Sequence, residues 1–357
     1  MLTRFRAVQE QDLPALIQLA QQAELGVTTL PSKASLIQEK LTWALHSFHQ
    51  PHPQQRAYFW FVLEHVDNHE LLGVAAMASH IEHTSHRYVF KRIPYQKEYV
   101  PFNMIHHDEY LQLSTELNQC SELCTLFLHP KARGLGQGQF LSRARLLFLS
   151  QFSDLFHRVM IAEMRGVHQK NRPSPFWEAV GKKFIHKSYQ SAEKLAAHQT
   201  TEFIEALFPT SPIYMSLLPK AAQKVVGEVH PLTQPAMHIL LNEGFQISPY
   251  IDCFDAGPII WAELNQILTL KHRQYYHALI QTQPVHAHAC VLLSNTRIEN
   301  FRATQATIAM DPHEPSRIII HAATAQALEI QEGDLLQVVH ERPFTTPFNE
   351  NNPKDDE

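Results

Sequence analysis

Arg133-Gly134-Leu135-Gly136-Gln137-Gly138 lies between the apolar segment Glu122–Pro130 and the amphipathic segment Gln139–Leu149. The order reads as strand, glycine-rich turn and helix. Three glycines in five residues leave out the Cβ atoms that would hold a ligand away from the backbone. The first amides of the helix have no partner inside it, and they sit at the positive end of its dipole. That combination suits a phosphate or pyrophosphate. No Gly-Lys-Ser/Thr follows, so this is not a Walker A loop, and the spacing is a poor dinucleotide fingerprint. A tight left-handed connection is the alternative reading of the same glycines.

Other residues could carry charge or protons. Glu163 and Arg165 stand two apart in Arg158–Arg165, which reads as a strand, so their side chains share a face. A carboxylate and a guanidinium placed this way can bind opposite charges on a ligand, move a proton, or pair with each other. Glu122, at the start of the apolar strand, is a second carboxylate of this kind. Asp252 and Asp255 precede Ala256-Gly257 and can offer negative charge or shape the turn. The chain holds 24 histidines, with one cluster at His80, His83 and His86 and another at His286, His288 and Cys290. Neither cluster has a second ligand group at metal-site spacing, and no His-Glu-x-x-His is present. Both read as solvated surface, and no metal site is expected.

The elements that must position these groups follow from periodicity. Thr3–Val8 alternates as a strand, and Gln11–Gln22 and Ser35–Phe48 have helical spacing. Gly26–Pro31 is a loop, and Pro51 and Pro53 end the second helix. Ala57–Leu63 and Leu71–Met77 are apolar strands joined at Asp67-Asn68. Residues 80–118 read as a polar insert. Ser174–Gly181 is a short helix with Ser174 able to cap it and Pro175 in its first turn. Pro235–Phe245 echoes that helix and its glycine, and Tyr250–Asp255 and Pro258–Glu263 read as paired strands, which hints at a partial repeat. Short strands at Ala289–Leu293 and Arg317–His321, and a turn into a strand over Leu328–Val339, make the C-terminal part β-rich.

Composition narrows the class. The chain has 357 residues with 44% hydrophobic content, enough for a packed core and one or two domains. A net charge of −5 argues against a nucleic-acid surface. No apolar run reaches the length of a membrane span, and no apolar leader opens the chain. Four cysteines are too few for a disulfide framework, which points to a reducing cytoplasm.

The glycine loop resembles the pyrophosphate loop of the GCN5-related N-acyltransferases, and the chain resembles the arginine N-succinyltransferases over about Thr3 to Val339. The matching blocks are Ser121–Leu128, Ala162–Val167, Ser174–Trp177, Pro212–Tyr214, Gly227–His230 with Thr233, Pro235-Ala236, Glu243–Phe245 and Phe254–Pro258, with Gly26, Thr28 and Leu30-Pro31. The sequence departs from the family pattern at His80–Tyr88, at Ser191–Gln199 and at Ala256, where glycine is common. These differences lie in the expected acceptor region.

The resemblance implies an α/β (α+β) fold: a mixed sheet flanked by helices, a partial second copy and a small C-terminal β module. Residues 1–195 are expected to bind acyl-CoA, 196–285 to form the partial copy carrying His230, 286–345 to form the β module, and 346–357 to be a disordered tail. The implied reaction moves a succinyl group from succinyl-CoA to the α-amino group of L-arginine, the first step of succinyl-dependent arginine catabolism. No other cofactor, nucleic acid or membrane is expected, and a homo- or hetero-oligomer is compatible with the family. Ornithine or another amine is the nearest alternative acceptor, and a non-catalytic CoA- or amino-acid-binding regulator is the alternative of another class.

The resemblance places Leu126 at the succinyl-CoA site. Its contact would be main-chain, because an isobutyl group cannot bind a carbonyl specifically. Arg133, Gly134, Gly136 and Gly138 would hold the diphosphate. The histidine matching His230 is a proton donor in the family, and an ordinary pKa near 6.5 suits that role. Glu163 would act as base or receive a guanidinium, with Glu122 a second base. Arg165 would receive a carboxylate through its planar fork, and Asp252 and Asp255 would face the acceptor. Trp177 stands where many acyltransferases of this superfamily carry a tyrosine acid; indole cannot serve as one, which favours His230.

Overall fold

The computed structural model describes residues 2–23, 30–31, 33–81, 87–168, 174–198, 202–285 and 289–340. The loop expected at Gly26–Pro31 lies mostly outside these residues, as do His83, His86, His286, His288 and the tail expected at 346–357.

The strands are β1 (Thr3–Ala7), β2 (Tyr58–His65), β3 (Leu71–Ala78), β4 (Val89–Tyr99), β5 (Met104–Ser114), β6 (Ser121–Leu128), β7 (Val159–Glu163) and β8 (Ile213–Tyr214). They continue with β9 (Gln246–Asp252), β10 (Pro258–Glu263), β11 (Gln274–Gln281), β12 (Ala289–Ser294), β13 (Arg302–Met310), β14 (Arg317–His321) and β15 (Leu335–His340). The helices are α1 (Leu13–Gln22), α2 (Ala34–His49), α3 (Gln137–Gln151), α4 (Pro175–Ala179), α5 (Gly181–Ile185), α6 (Tyr189–His198) and α7 (Glu202–Leu207). After them come α8 (Lys220–Gln223), α9 (Gln234–Asn242), α10 (Leu268–Lys271) and α11 (Ala322–Leu328).

Among the described residues the strands join in one sheet, in the order β12-β15-β11-β14-β13-β1-β2-β3-β6-β7-β10-β9-β4-β5-β8. The centre is β2 and β3, buried almost throughout. An aromatic and β-branched run suits such a strand. Phe59 and Phe61 of β2 meet Phe148 of α3, with ring centroids 4.8 and 5.1 Å apart. Phe5 of β1 stacks on Phe61 at 4.7 Å. These rings fasten α3 across the sheet, so the helix that begins at the glycine loop cannot tilt without breaking the core.

Two sequence expectations change and one is extended. The segment read as a polar insert contains the hairpin β4–β5, paired over its full length and joined to the sheet through β9. Its polar look follows from its position, because most of its outer half is exposed. The strands read as paired, β9 and β10, do pair with each other, and they extend the same sheet through β4 and β7. Finally, β11 precedes the expected boundary at residue 286, yet it pairs with β14 and β15. The C-terminal strands share a small core that includes Val291, Leu293, Ile318, Ile320 and Leu336.

Candidate active site

The donor strand is irregular on both sides. Against β3 its register runs Val74↔Phe127 and then Ala76↔Cys124, so β6 carries one extra residue. Thr125 takes it up with φ +51°, a left-handed conformation that a β-branched residue rarely adopts. Such a bulge bends the strand and takes backbone groups out of the ladder. On the other side β6 pairs in parallel with β7 only at Ser121↔Met160 and Glu122↔Ile161. The opposite edge of β7 is paired with β10 along its whole length, from Glu263↔Val159 to Ile259↔Glu163, so only the edge facing β6 opens. The two strands therefore diverge, and the stretch from Leu123 to Leu128 has no strand partner on that edge among the described residues. Leu126 is half-buried there, its side chain against the core.

The crevice closes on the glycine turn. Arg133 is exposed and donates from Nε to the Leu128 carbonyl at 3.3 Å. Gly134 and Gly136 have φ +79° and +75°, so glycine is required by conformation, and a Cβ at either would meet nothing within 4 Å. The space beside them is open. Gly136 is the N-cap of the 15-residue α3, and Gly138 stands in its first turn.

Charged groups gather at the narrow end. Glu122 faces Ile161 across the ladder, and Glu163 lies two residues further, so both project from one face. Arg87 joins them: it donates to Glu122 Oε2 at 2.8 Å and also pairs with Glu163 Oε2. Glu163 was expected on one strand with Arg165. Instead β7 ends at Glu163, because Met164 N bonds to the Pro258 carbonyl and Gly166 bridges to Val229. Burial raises the Glu163 carboxyl to about 7, with Arg87 opposing and Glu122 and Asp252 adding to the rise. Burial and then the Asp255 charge bring Asp252 to about 7 as well. Asp252 Oδ1 accepts from the Phe254 and Asp255 amides at 2.7 and 2.9 Å. Asp255 accepts from the Gly166 and Gly257 amides at 2.7 and 2.8 Å, so it shapes the loop beneath the site. Burial still lifts it to about 6. Ala256, where the family favours glycine, has φ +60°.

His230 follows the bridge between Gly166 and Val229, and its amide donates to the Arg165 carbonyl at 2.8 Å. Its Nδ1 accepts from the Leu232 amide at 3.2 Å, so the neutral ring carries its proton on Nε2. The His168 ring lies 5.3 Å away, and Arg165 Nε donates to His168 Nε2 at 2.7 Å. Tyr189, 6.1 Å from His168 between centroids, donates to Glu193 Oε1 at 3.0 Å. Burial raises both Tyr189 and Glu193.

The structure thus brings Glu122, Glu163, Arg165, Asp252, Asp255 and His230 to one end of the crevice. Leu126, Arg133, Gly134, Gly136 and Gly138 line the donor strand and its turn. Sequence reasoning missed Arg87, His168, Tyr189 and Glu193, which carry no spacing signal; only proximity in the fold reveals them. Trp177 is fully buried, stacks on Phe254 at 5.5 Å and donates to the Lys187 carbonyl at 3.1 Å. A cavity of about 500 Å³ beside Arg4, Arg6, Glu64 and Arg302 shares no lining residue with the crevice. No described helix is long and apolar enough to cross a membrane.

A bulged strand splayed from its parallel neighbour and ending in a glycine turn at a helix N-terminus defines an N-acyltransferase. Residues 3–269 match the family described as Arginine N-succinyltransferase beta subunit, and residues 278–340 match its C-terminal domain. The chain belongs to this family. The Arginine N-succinyltransferases of Salmonella schwarzengrund and Salmonella newport are each 35% identical to it over 338 residues, covering 94% of this chain and 96% of theirs. The arginine/ornithine succinyltransferase subunit AI from Pseudomonas aeruginosa superposes with a TM-score of 0.85 at 28% identity, over 95% of this chain and 98% of that one.

Proposed function

We propose that this chain transfers the succinyl group of succinyl-CoA to the α-amino group of L-arginine. The observation that carries this reading is the open edge of β6 beside the bulge at Thr125, continuous with the turn at Gly134–Gly138. The turn and the first amides of α3 take the diphosphate. Main-chain N–H at Leu126 takes the thioester oxygen and then the oxyanion, where preorganised donors contribute most.

The acceptor enters from the acidic end. Asp252 offers charge to its guanidinium, and Arg165 receives its carboxylate. Glu163, near neutrality in pKa, takes a proton from the ammonium. The amine nitrogen forms a bond to the thioester carbon, the C–S bond breaks, and His230, entering as the imidazolium, gives its Nε2 proton to the departing thiolate. The products are the N-succinyl amide and free CoA thiol; His230 recovers its proton from the nitrogen as the amide forms, and the proton on Glu163 returns to solvent. Glu122 anchors Arg87, and Arg87 anchors Glu163.

The name of the Pseudomonas aeruginosa neighbour includes ornithine. Thiol release by the purified protein with succinyl-CoA decides the matter when arginine and ornithine are compared as acceptors. Turnover with neither basic amino acid would refute the proposal.

A further inference from the structure

We propose that Arg56, beside Lys40, receives the distal carboxylate of the donor acyl group and so selects a dicarboxylic acyl thioester over an uncharged one. This rests on the reading that the donor is succinyl-CoA bound along β6. CoA enters from the turn at the C-terminal end of β6, so its acyl tail points toward the closed end of the crevice at Glu122.

The register shows what faces that tail. Tyr58 pairs with Ala78 and Ala78 with Glu122; Trp60 pairs with Ala76 and Ala76 with Cys124. Tyr58, Trp60, Glu122 and Cys124 therefore share one face of the sheet. Tyr58 Oη and Thr125 Oγ1 are 2.8 Å apart, which ties the bulge to the start of β2. Above the Tyr58 ring sit Lys40 Nζ, 5.1 Å from its centroid, and the stacked Trp43. The Arg56 guanidinium carbon lies 4.5 Å from the centre of the Trp43 ring. Two cations and two aromatic faces thus converge beside the bulge.

Arg56 is set up for an anion. Its Nε is buried and has no hydrogen-bond partner among the described residues. The carboxylate it senses most is Glu122, which Arg87 already engages. Burial lowers both Arg56 and Lys40 from their ordinary values, the cost of holding cations away from water. A succinyl carboxylate carbon lies three C–C bonds, roughly 4 Å, beyond the thioester carbonyl in an extended chain. Arginine binds a carboxylate as a planar fork. An acyl group ending in a methyl would leave that buried donor unmatched, and sites built around a polar partner reject such analogues strongly.

The test compares kcat/KM for succinyl-CoA with that for butyryl-CoA, the same four-carbon chain with a methyl in place of the carboxylate, at fixed arginine. Wild type should favour succinyl-CoA. Arg56→Gln should lower the ratio by roughly 10- to 100-fold, chiefly through the KM for succinyl-CoA, and Lys40→Met should lower it less. A ratio within about threefold of wild type in Arg56→Gln would overturn the inference and leave the donor reading standing. Should Arg56→Gln not fold, the ratio is read on Arg56→Lys, where the loss of the fork should still lower it and an unchanged ratio overturns the inference. Wild type that turns over butyryl-CoA as well as succinyl-CoA would overturn the donor reading itself.

Discussion

Replacing Arg87 by Met should shift the acid limb of the pH–rate profile upward. Glu163 stands near 7 as a balance: burial raises it, Arg87 pulls it down, and Glu122 and Asp252 push it up again. Arg87 is largely buried, with 24% of its side chain exposed, and it contacts both glutamates. Methionine fills much of the same space without charge. A hydrogen bond to a charged group contributes about 1.5–3 kcal/mol, and one pKa unit is about 1.4 kcal/mol. Loss of Arg87 should therefore raise Glu163 by about one to two units, placing the limb at about 8 to 9. The unprotonated fraction at pH 7 then falls roughly five- to fiftyfold, and the rate should recover as pH rises.

The assay is thiol release at saturating succinyl-CoA and low arginine, giving kcat/KM for arginine from pH 6 to 10. The amine of the acceptor titrates identically with both proteins, so the displacement between curves isolates the enzyme group. A variant curve lowered by a constant factor at every pH would refute Glu163 as the base positioned by Arg87. Such a curve would make Arg87 structural only.

Three further outcomes are expected. His230→Ala should lower kcat by roughly 10²- to 10⁴-fold while leaving succinyl-CoA affinity nearly unchanged; an unaltered kcat removes the proton-donor role. Gly136→Val forces a β-branched residue to φ +75° at the start of α3, at about 1–3 kcal/mol, and should raise the KM for succinyl-CoA roughly five- to 150-fold; an unchanged donor KM refutes the diphosphate turn. Asp252, raised from its ordinary value of 3.8 to about 7, binds a proton in the folded chain that the unfolded chain has already released. Its stabilising contribution is thus lost as pH rises from about 4 through 7, so Asp252→Asn should lose less melting temperature than wild type between pH 5.5 and 8.5, and an equal loss contradicts the shift.

Much of the donor side was legible in the sequence because it depends on local chemistry. Gly134 and Gly136 announce a left-handed turn, and the apolar runs on either side announce strand and helix. The bulge at Thr125 was not legible, since it arises from a register mismatch with β3 some fifty residues away in sequence and leaves no glycine as a mark. The acceptor side was half legible. Glu163, Asp252 and His230 stood in recognisable blocks, yet their partners come from distant segments. Arg87 lies just before β4, and Tyr189 and Glu193 lie on α6. Alternation placed Glu163 and Arg165 on one face because it cannot tell that a strand stops between them.

The charge at that end of the crevice also bears on which acceptor fits. Glu122, Glu163, Asp252, Asp255 and Glu193 lie near Arg87 and Arg165, and the electrostatic contacts link Asp252 to both Asp255 and Glu193. Burial first, and then the neighbouring carboxylates, raise Glu163 and Asp252 to about 7, so both are partly protonated near neutral pH. A cation that enters relieves that repulsion and favours the ionised forms. Binding a basic side chain and readying a carboxylate base are therefore one event, and an uncharged amino acid would gain neither. Both guanidinium and ammonium satisfy the charge, but only guanidinium offers the planar array of donors that two carboxylates can share. On the roles proposed above, the surplus of carboxylates at this end of the crevice is the feature that would favour arginine over ornithine.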